Sequence, residues 1–274
     1  MVTHGKESIE FMQNDKKYAI LIDAENIASK YIKLILDEIS NEGVATYKRI
    51  YGDWTKPQTS AWKEILLANS VTPMQQYSYT TGKNSSDSAM IIDAMDILYS
   101  GKVDGFCIVT SDSDFTRLAA RLREAGMDVI GMGEEKTPRP FVAACNQFKY
   151  LDKIYSANSK RRTQEKKPSP KQEKKPSPPE PDKNPQTDLD SLRDTIYDFV
   201  DKNSDDEGWL MASEVGDVLA KRYPDFDVRN YGCKKLIQFL EMLDMFEIRM
   251  VTSPENTKNP NGKNVYIRFK NYLV

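Results

Sequence analysis

The chain predicts an α/β fold, an open and mainly parallel sheet flanked by helices, joined to a second, small α+β domain. Three observations carry this. Short apolar runs alternate with helical patterns five times over the first 155 residues, the signature of a parallel sheet covered on both faces. A stretch rich in proline and lysine then breaks the apolar patterning. At 274 residues the chain has room for about two domains.

The first strand is KYAILID, ending in Asp23. A helical pattern of Ile27, Tyr31, Leu34 and Ile35 follows and ends at Asn41-Glu42-Gly43, where Gly43 suits a helix C-terminus. VATYKRIYGDW, VTPMQQYSY, GFCIVTSD and DVIGMG read as further strands, with helices near 57–69, 85–100 and 114–125. Residues 1–16 read as a flexible leader, 17–155 as the first domain, 156–187 as a disordered linker and 188–274 as the second domain. The linker holds seven of the fourteen prolines and repeats QEKKPSP, so it cannot bury enough surface to offset its ordering entropy.

Composition narrows the chemistry. Hydrophobic residues at 39% supply a core, and no run reaches the roughly 18 apolar residues of a membrane span. The opening residues lack the order of a signal peptide, so a cytoplasmic protein without membrane association is expected. Cys107, Cys145 and Cys233 form no C-x-x-C pair and read as buried small hydrophobes. The single histidine, His4, lies in the leader, which leaves histidine-dependent catalysis and His-ligated metals without a candidate. Basic and acidic side chains number 18 and 21 in residues 1–155, 9 and 4 in 156–187, and 12 and 16 in 188–274. The positive excess therefore lies between the domains, where the lysines could meet phosphates.

Catalysis must then rest on carboxylates. Asp23 ends the first strand, Asp112 and Asp114 end the fourth, and Asp87 opens the helix bearing Met90, Ile91 and Ala94. Asp93, further along that helix, is off the Asp87 line and a weaker candidate. Each acid alone could cap a helix. Together they are harder to explain so, because Ser111-Asp112-Ser113-Asp114 offers four consecutive oxygen-bearing side chains where a cap needs one. If strands one and four are neighbours where strand order reverses, the four acids converge on one cleft. Two carboxylates about 4 Å apart repel by about 4 kcal/mol at an effective dielectric of 20, so a cluster calls for a cation or for protonation. All-oxygen ligands select Mg²⁺ or Mn²⁺, ions suited to phosphodiester attack. A Walker loop and a G-x-G-x-x-G after the first strand are both missing, and the G-x-G of GMGEEKTP follows a late strand.

LIDAEN, GKNSSDSAMIIDAMD and VTSDSDF, in that order, resemble the NYN family of PIN-like ribonucleases in its LabA-like branch, over roughly residues 17–152. The resemblance implies a PIN-like Rossmannoid sheet, a pocket for Mg²⁺ or Mn²⁺, and endonucleolytic cleavage of RNA. Carried over, Asp23, Asp87, Asp112 and Asp114 are metal ligands or activate water, and Asn26 contacts a ligand or the substrate. Ser111 joins Asn26 in that role, while Lys83 and Arg117 stand where they could touch a phosphate. Trp54, Tyr77 and Tyr79 could stack on bases, although strand aromatics more often serve the core.

In the second domain, helices near 189–202, 211–222 and 230–243 precede the hairpin FEIRMV and NVYIRF, the pattern of a winged helix. Arg229, Tyr231, Lys234, Lys235 and Gln238 lie on or beside the third helix, and Lys258 and Lys263 lie in the hairpin loop; these are the candidate RNA contacts. RNYGCKKLIQFLEMLDMFEI resembles the OST-HTH or LOTUS domain. That resemblance implies binding of RNA, including G-rich or quadruplex RNA, or docking onto an RNA helicase or another protein. The expected function is a metal-dependent ribonuclease acting on single-stranded RNA recruited by the second domain; the alternative is a catalytically silent RNA-binding or protein-docking adaptor.

Overall fold

A computed structural model describes residues 15–77, 85–164, 187–252 and 263–270. Lys83, Tyr79 and Lys258 lie outside the described residues, as does the side chain of Lys263.

The sheet is built from β1 (Lys17–Asp23), β2 (Val44–Gly52), β3 (Thr72–Gln75), β4 (Gly105–Val109), β5 (Asp128–Gly133) and β6 (Gln147–Tyr150), in the order β3-β2-β1-β4-β5-β6. β1 pairs in parallel with β2, β2 with β3 and β5 with β6. From Tyr18 to Asp23 every residue of β1 is buried, as is all of β4, which a strand covered on both faces requires. Crossovers are supplied by α1 (Ile32–Ser40), α2 (Ser60–Ala68), α3 (Ser85–Ser100), α4 (Thr116–Glu124) and α5 (Arg139–Ala144), and α6 (Leu151–Gln164) follows β6. Strands β1 and β4 are neighbours, so the order reverses between them and their carboxyl ends flank the switch point, as the convergence of acids requires.

Two expectations for this region are corrected. A sixth strand exists: QFKY is too short and too polar to announce itself, yet it completes the sheet beside β5. The helix expected from Ile27 begins only at Ile32, after a 3₁₀ turn at Ser29–Tyr31. Gly43 stands at the helix end as expected, its N–H donating to the Ile39 carbonyl at 3.0 Å, and it also allows a close approach: a Cβ there would stand 2.1 Å from the Lys16 carbonyl oxygen, which accepts a bond from the Val44 N–H at 2.8 Å.

Downstream lie α7 (Leu189–Asn203), β7 (Leu210–Met211), α8 (Ala212–Arg222), α9 (Leu236–Met242), β8 (Phe246–Thr252) and β9 (Lys263–Phe269). β8 and β9 form the antiparallel hairpin, and β7 adds a third strand on β9. Leu192, Ile196 and Val200 recur every four residues along α7 and pack with Val215, Leu219, Phe239, Leu240, Phe246 and Ile267. The helix expected from residue 230 is shorter. Residues Val228–Tyr231 form a 3₁₀ turn closed by Gly232 at φ 78°, and Lys235 is still extended. Of the cysteines, Cys107 and Cys145 are buried and Cys233 only partly so.

Within the compact unit Ile108–Val274 a buried carboxylate ties segments far apart in sequence. Asp225 accepts from Arg139 Nη1 at 2.7 Å, from the Thr187 N–H at 2.9 Å and from Thr187 Oγ1 at 2.7 Å. The Phe148 N–H of edge strand β6 donates to the Pro224 carbonyl at 2.6 Å, so that edge is not left open.

Candidate active site

Asp87, Asp112 and Asp114 each offer a carboxylate oxygen, and these oxygens all lie within 4.8 Å of one another. Asp87 stands in the first turn of α3, half-buried; Asp112 is half-buried and Asp114 exposed, both just beyond β4. The local cause of their meeting is a turn. Asp112 leaves the strand extended, at φ −93° and ψ 134°, and its Oδ1 accepts from the Asp114 N–H at 2.9 Å. Its own N–H donates to Thr110 Oγ1 at 3.1 Å, and fully buried Phe115 anchors the 3₁₀ turn that opens α4. Capping uses one oxygen of Asp112, so capping and ion binding are compatible at this residue.

Asp23 lies outside that set. It is 2% exposed at the end of β1, its Oδ1 accepting from the Glu25 N–H at 3.0 Å and the Asn26 N–H at 3.3 Å. Its Oδ2 accepts from Asn26 Nδ2 at 2.6 Å, which places Asn26 directly against the carboxylate. Asp93 is engaged elsewhere, by the Arg49 guanidinium and the Tyr51 hydroxyl. Burial, then the hydrogen bond to Asp93, pushes the Tyr51 hydroxyl far above its ordinary pKa, so it remains a donor. Ser111 Oγ accepts from the Glu134 N–H at 2.9 Å, tying the loop after β4 to the loop after β5. Arg117 is exposed on α4. Trp54 Nε1 donates to the Met74 carbonyl at 3.1 Å, while Tyr77 is 56% exposed.

Two further acids were not foreseen. Glu25 Oε2 accepts from Ser86 Oγ at 3.1 Å, beside Asp87, and Oε1 meets Lys56 Nζ at 2.9 Å; the hydrogen bond to Glu25 raises the Lys56 pKa. Asp53, buried beyond β2, accepts from the Thr55 N–H and hydroxyl and from Gln75 Nε2. The signal was present for both: Glu25 follows Asp23 in the same strand exit, and Asp53 ends a strand as Asp23 does.

Around α9 the expected RNA contacts divide. The Arg229 guanidinium holds Asp227 through Nε and Nη2, at 2.9 and 2.6 Å to Oδ2. The Tyr231 hydroxyl donates to the Thr187 carbonyl at 2.8 Å and its ring packs on Phe239. Gln238 Oε1 accepts from the Lys234 N–H at 2.9 Å, tying the segment ahead of α9 to its first turn. Lys234 and Lys235 are exposed ahead of the helix.

The NYN domain family model matches residues 17–152, and the OST-HTH/LOTUS domain model matches residues 187–256. No curated protein matches the chain. Among solved structures the chain is similar to a protein of unknown function from Vibrio parahaemolyticus, at 19% identity and a TM-score of 0.44, covering 51% of this chain and 95% of that one. Among the described residues no helix is long and apolar enough to cross a membrane.

Proposed function

Because the chain belongs to the NYN family, with an OST-HTH/LOTUS domain after it, we propose that it is a Mg²⁺- or Mn²⁺-dependent endoribonuclease acting on single-stranded RNA that its second domain recruits. NYN domains are generally ribonucleases and LOTUS domains bind RNA, which supports hydrolysis and RNA as partner. The observation that carries the reading is the Asp87, Asp112 and Asp114 set within 4.8 Å. Its donors are all oxygen, the set that hard divalent ions take, and three carboxylates so close repel unless a cation offsets them.

Asp87, Asp112 and Asp114 hold the ion. When bound, Mg²⁺ or Mn²⁺ lowers the pKa of water and offsets charge on the leaving oxygen of a phosphodiester. Asp23 and Asn26 set the loop after β1, and Glu25 on that loop holds Ser86, fixing the start of α3 that carries Asp87. Lys56, Lys83 and Arg117 supply positive charge for the scissile strand. Recruitment by a second domain on the same chain raises the local RNA concentration even where each domain binds weakly. The protein acts in the cytoplasm.

The test is cleavage of a labelled single-stranded RNA, with and without Mn²⁺, by the whole chain and by Asp112→Asn. The variant retains Oδ1 and therefore the cap on Asp114. Metal-dependent cutting lost in the variant supports the enzyme; equal cutting by both, or none by either across several RNAs, replaces it with the adaptor.

A further inference from the structure

The side chains around α9 are largely spent on the fold, whereas the sheet behind them turns an unusual face outward. Leu210, Phe246, Ile248 and Ile267 point into the core from β7, β8 and β9. Successive side chains alternate, so Met211, Tyr266, Arg268, Glu247 and Arg249 share the opposite face. Register places Tyr266, on the central strand β9, between Met211 and Arg249, and sets Arg268 opposite Glu247.

Trp209 brings its ring to this face. The guanidinium carbons of Arg268 and Arg249 lie 4.6 and 5.8 Å from the indole centroid. The backbone of Trp209 is pinned from both sides, its N–H donating to Asp205 Oδ1 at 2.8 Å and its carbonyl accepting from the Asp205 N–H at 2.9 Å. Gly208, at φ 81°, permits that turn. Arg268 is held by Glu247 at 2.7 Å while its buried Nε has no hydrogen-bond partner among the described residues, so its place against the ring is kept at the expense of a donor. Arg249 is exposed and, among the described residues, forms no ion pair.

A solvated sheet face is ordinarily polar. Here two half-buried rings and two guanidiniums are fixed in register on a central strand and its neighbours. Aromatic and guanidinium planes on a sheet are what unpaired bases stack on, and the exposed guanidinium suits the phosphates between those bases. We propose that this outer face, through Trp209, Tyr266, Arg249 and Arg268, is where the second domain binds single-stranded RNA, in place of the residues around α9. The proposal rests on the RNA reading of that domain and names its surface.

Fluorescence anisotropy with the full chain in EDTA, which stops cleavage, tests it with a labelled G-rich single strand and the same strand annealed to its complement. Arg249→Ala and Tyr266→Thr are expected to weaken single-strand binding about tenfold each. Lys234→Ala combined with Lys235→Ala stays within about twofold, since each stacking contact outweighs an exposed lysine. Tryptophan emission is quenched when RNA is added, and that quenching is lost in Trp209→Phe. Wild-type affinity in both Arg249→Ala and Tyr266→Thr, or equal binding of duplex and single strand, overturns the platform while leaving RNA recruitment intact. Failure of the wild type to bind either RNA overturns recruitment itself, and the platform with it.

Discussion

At Asp225 the chain answers a buried carboxylate with its own groups, a guanidinium, a hydroxyl and an N–H, all within 2.9 Å. Where α3 begins and β4 ends it does the reverse, drawing three carboxylates within 4.8 Å of one another. The first arrangement joins segments that sequence keeps 86 positions apart. The second gathers like charge at the switch point of the sheet, where ligands of such folds bind. Acid residues of one type therefore serve architecture where donors converge on them, and chemistry where they converge on each other.

The largest effect that tests this contrast is on catalysis. Asp112→Asn should reduce RNA cleavage by about a hundredfold or more, by the measure of losing one group that stabilises developing charge. Its melting temperature should hold or rise, since like-charge repulsion is relieved. At the other site the cost falls on stability. Arg139→Met strands Asp225 in the interior and should lower the unfolding free energy by about 3 kcal/mol in urea titration. Asp225→Asn should cost less, because the half-exposed Arg139 regains water; the opposite ranking would break the comparison. Next comes linkage: saturating Mn²⁺ should raise the melting temperature by about 2–4 °C, with EDTA reversing it. That shift should vanish in Asp112→Asn and survive in Arg139→Met.

The smallest effect concerns a third kind of carboxylate, exposed and held only by hydrogen bonds. Asp188 caps α7, and bonds from the Ser191 N–H and then its hydroxyl hold the carboxyl below its usual range. A folded pKa below the unfolded one means that the cap stabilises above the unfolded value and is lost as pH falls through the folded one. Asp188→Ala should therefore melt slightly lower than wild type at pH 7, with the gap closing as pH drops below about 4.

Much of the sheet was legible because its central strands are unbroken apolar runs; KYAILID and GFCIV admit hardly another reading once helices alternate with them. β6 was not, since four residues with two polar positions carry too little pattern, and its place depends on pairing with β5 and on Pro224. At the site, Asp87, Asp112 and Asp114 followed from acids at element ends. The distinct surroundings of Asp23 did not, because an Asx turn is decided by backbone geometry that Asp-Ala-Glu-Asn only permits. Asp93 could be set aside from its spacing, but its partners Arg49 and Tyr51 come from β2, more than 40 positions away. Around α9 the error was one of length. Asp227 and Gly232 are visible in the sequence as a turn start and a left-handed stop, and together they take Tyr231 out of the helix.

The double duty of Asp112 constrains how this molecule could change over generations. One oxygen shapes the turn that presents Asp114, so asparagine or serine at 112 silences the charge while sparing the turn, whereas alanine or leucine loses both. A lineage abandoning cleavage but retaining the fold would therefore drift through a narrow set of residues at this position. A small polar side chain at 112, beside an otherwise intact domain, would be the visible trace of an activity given up.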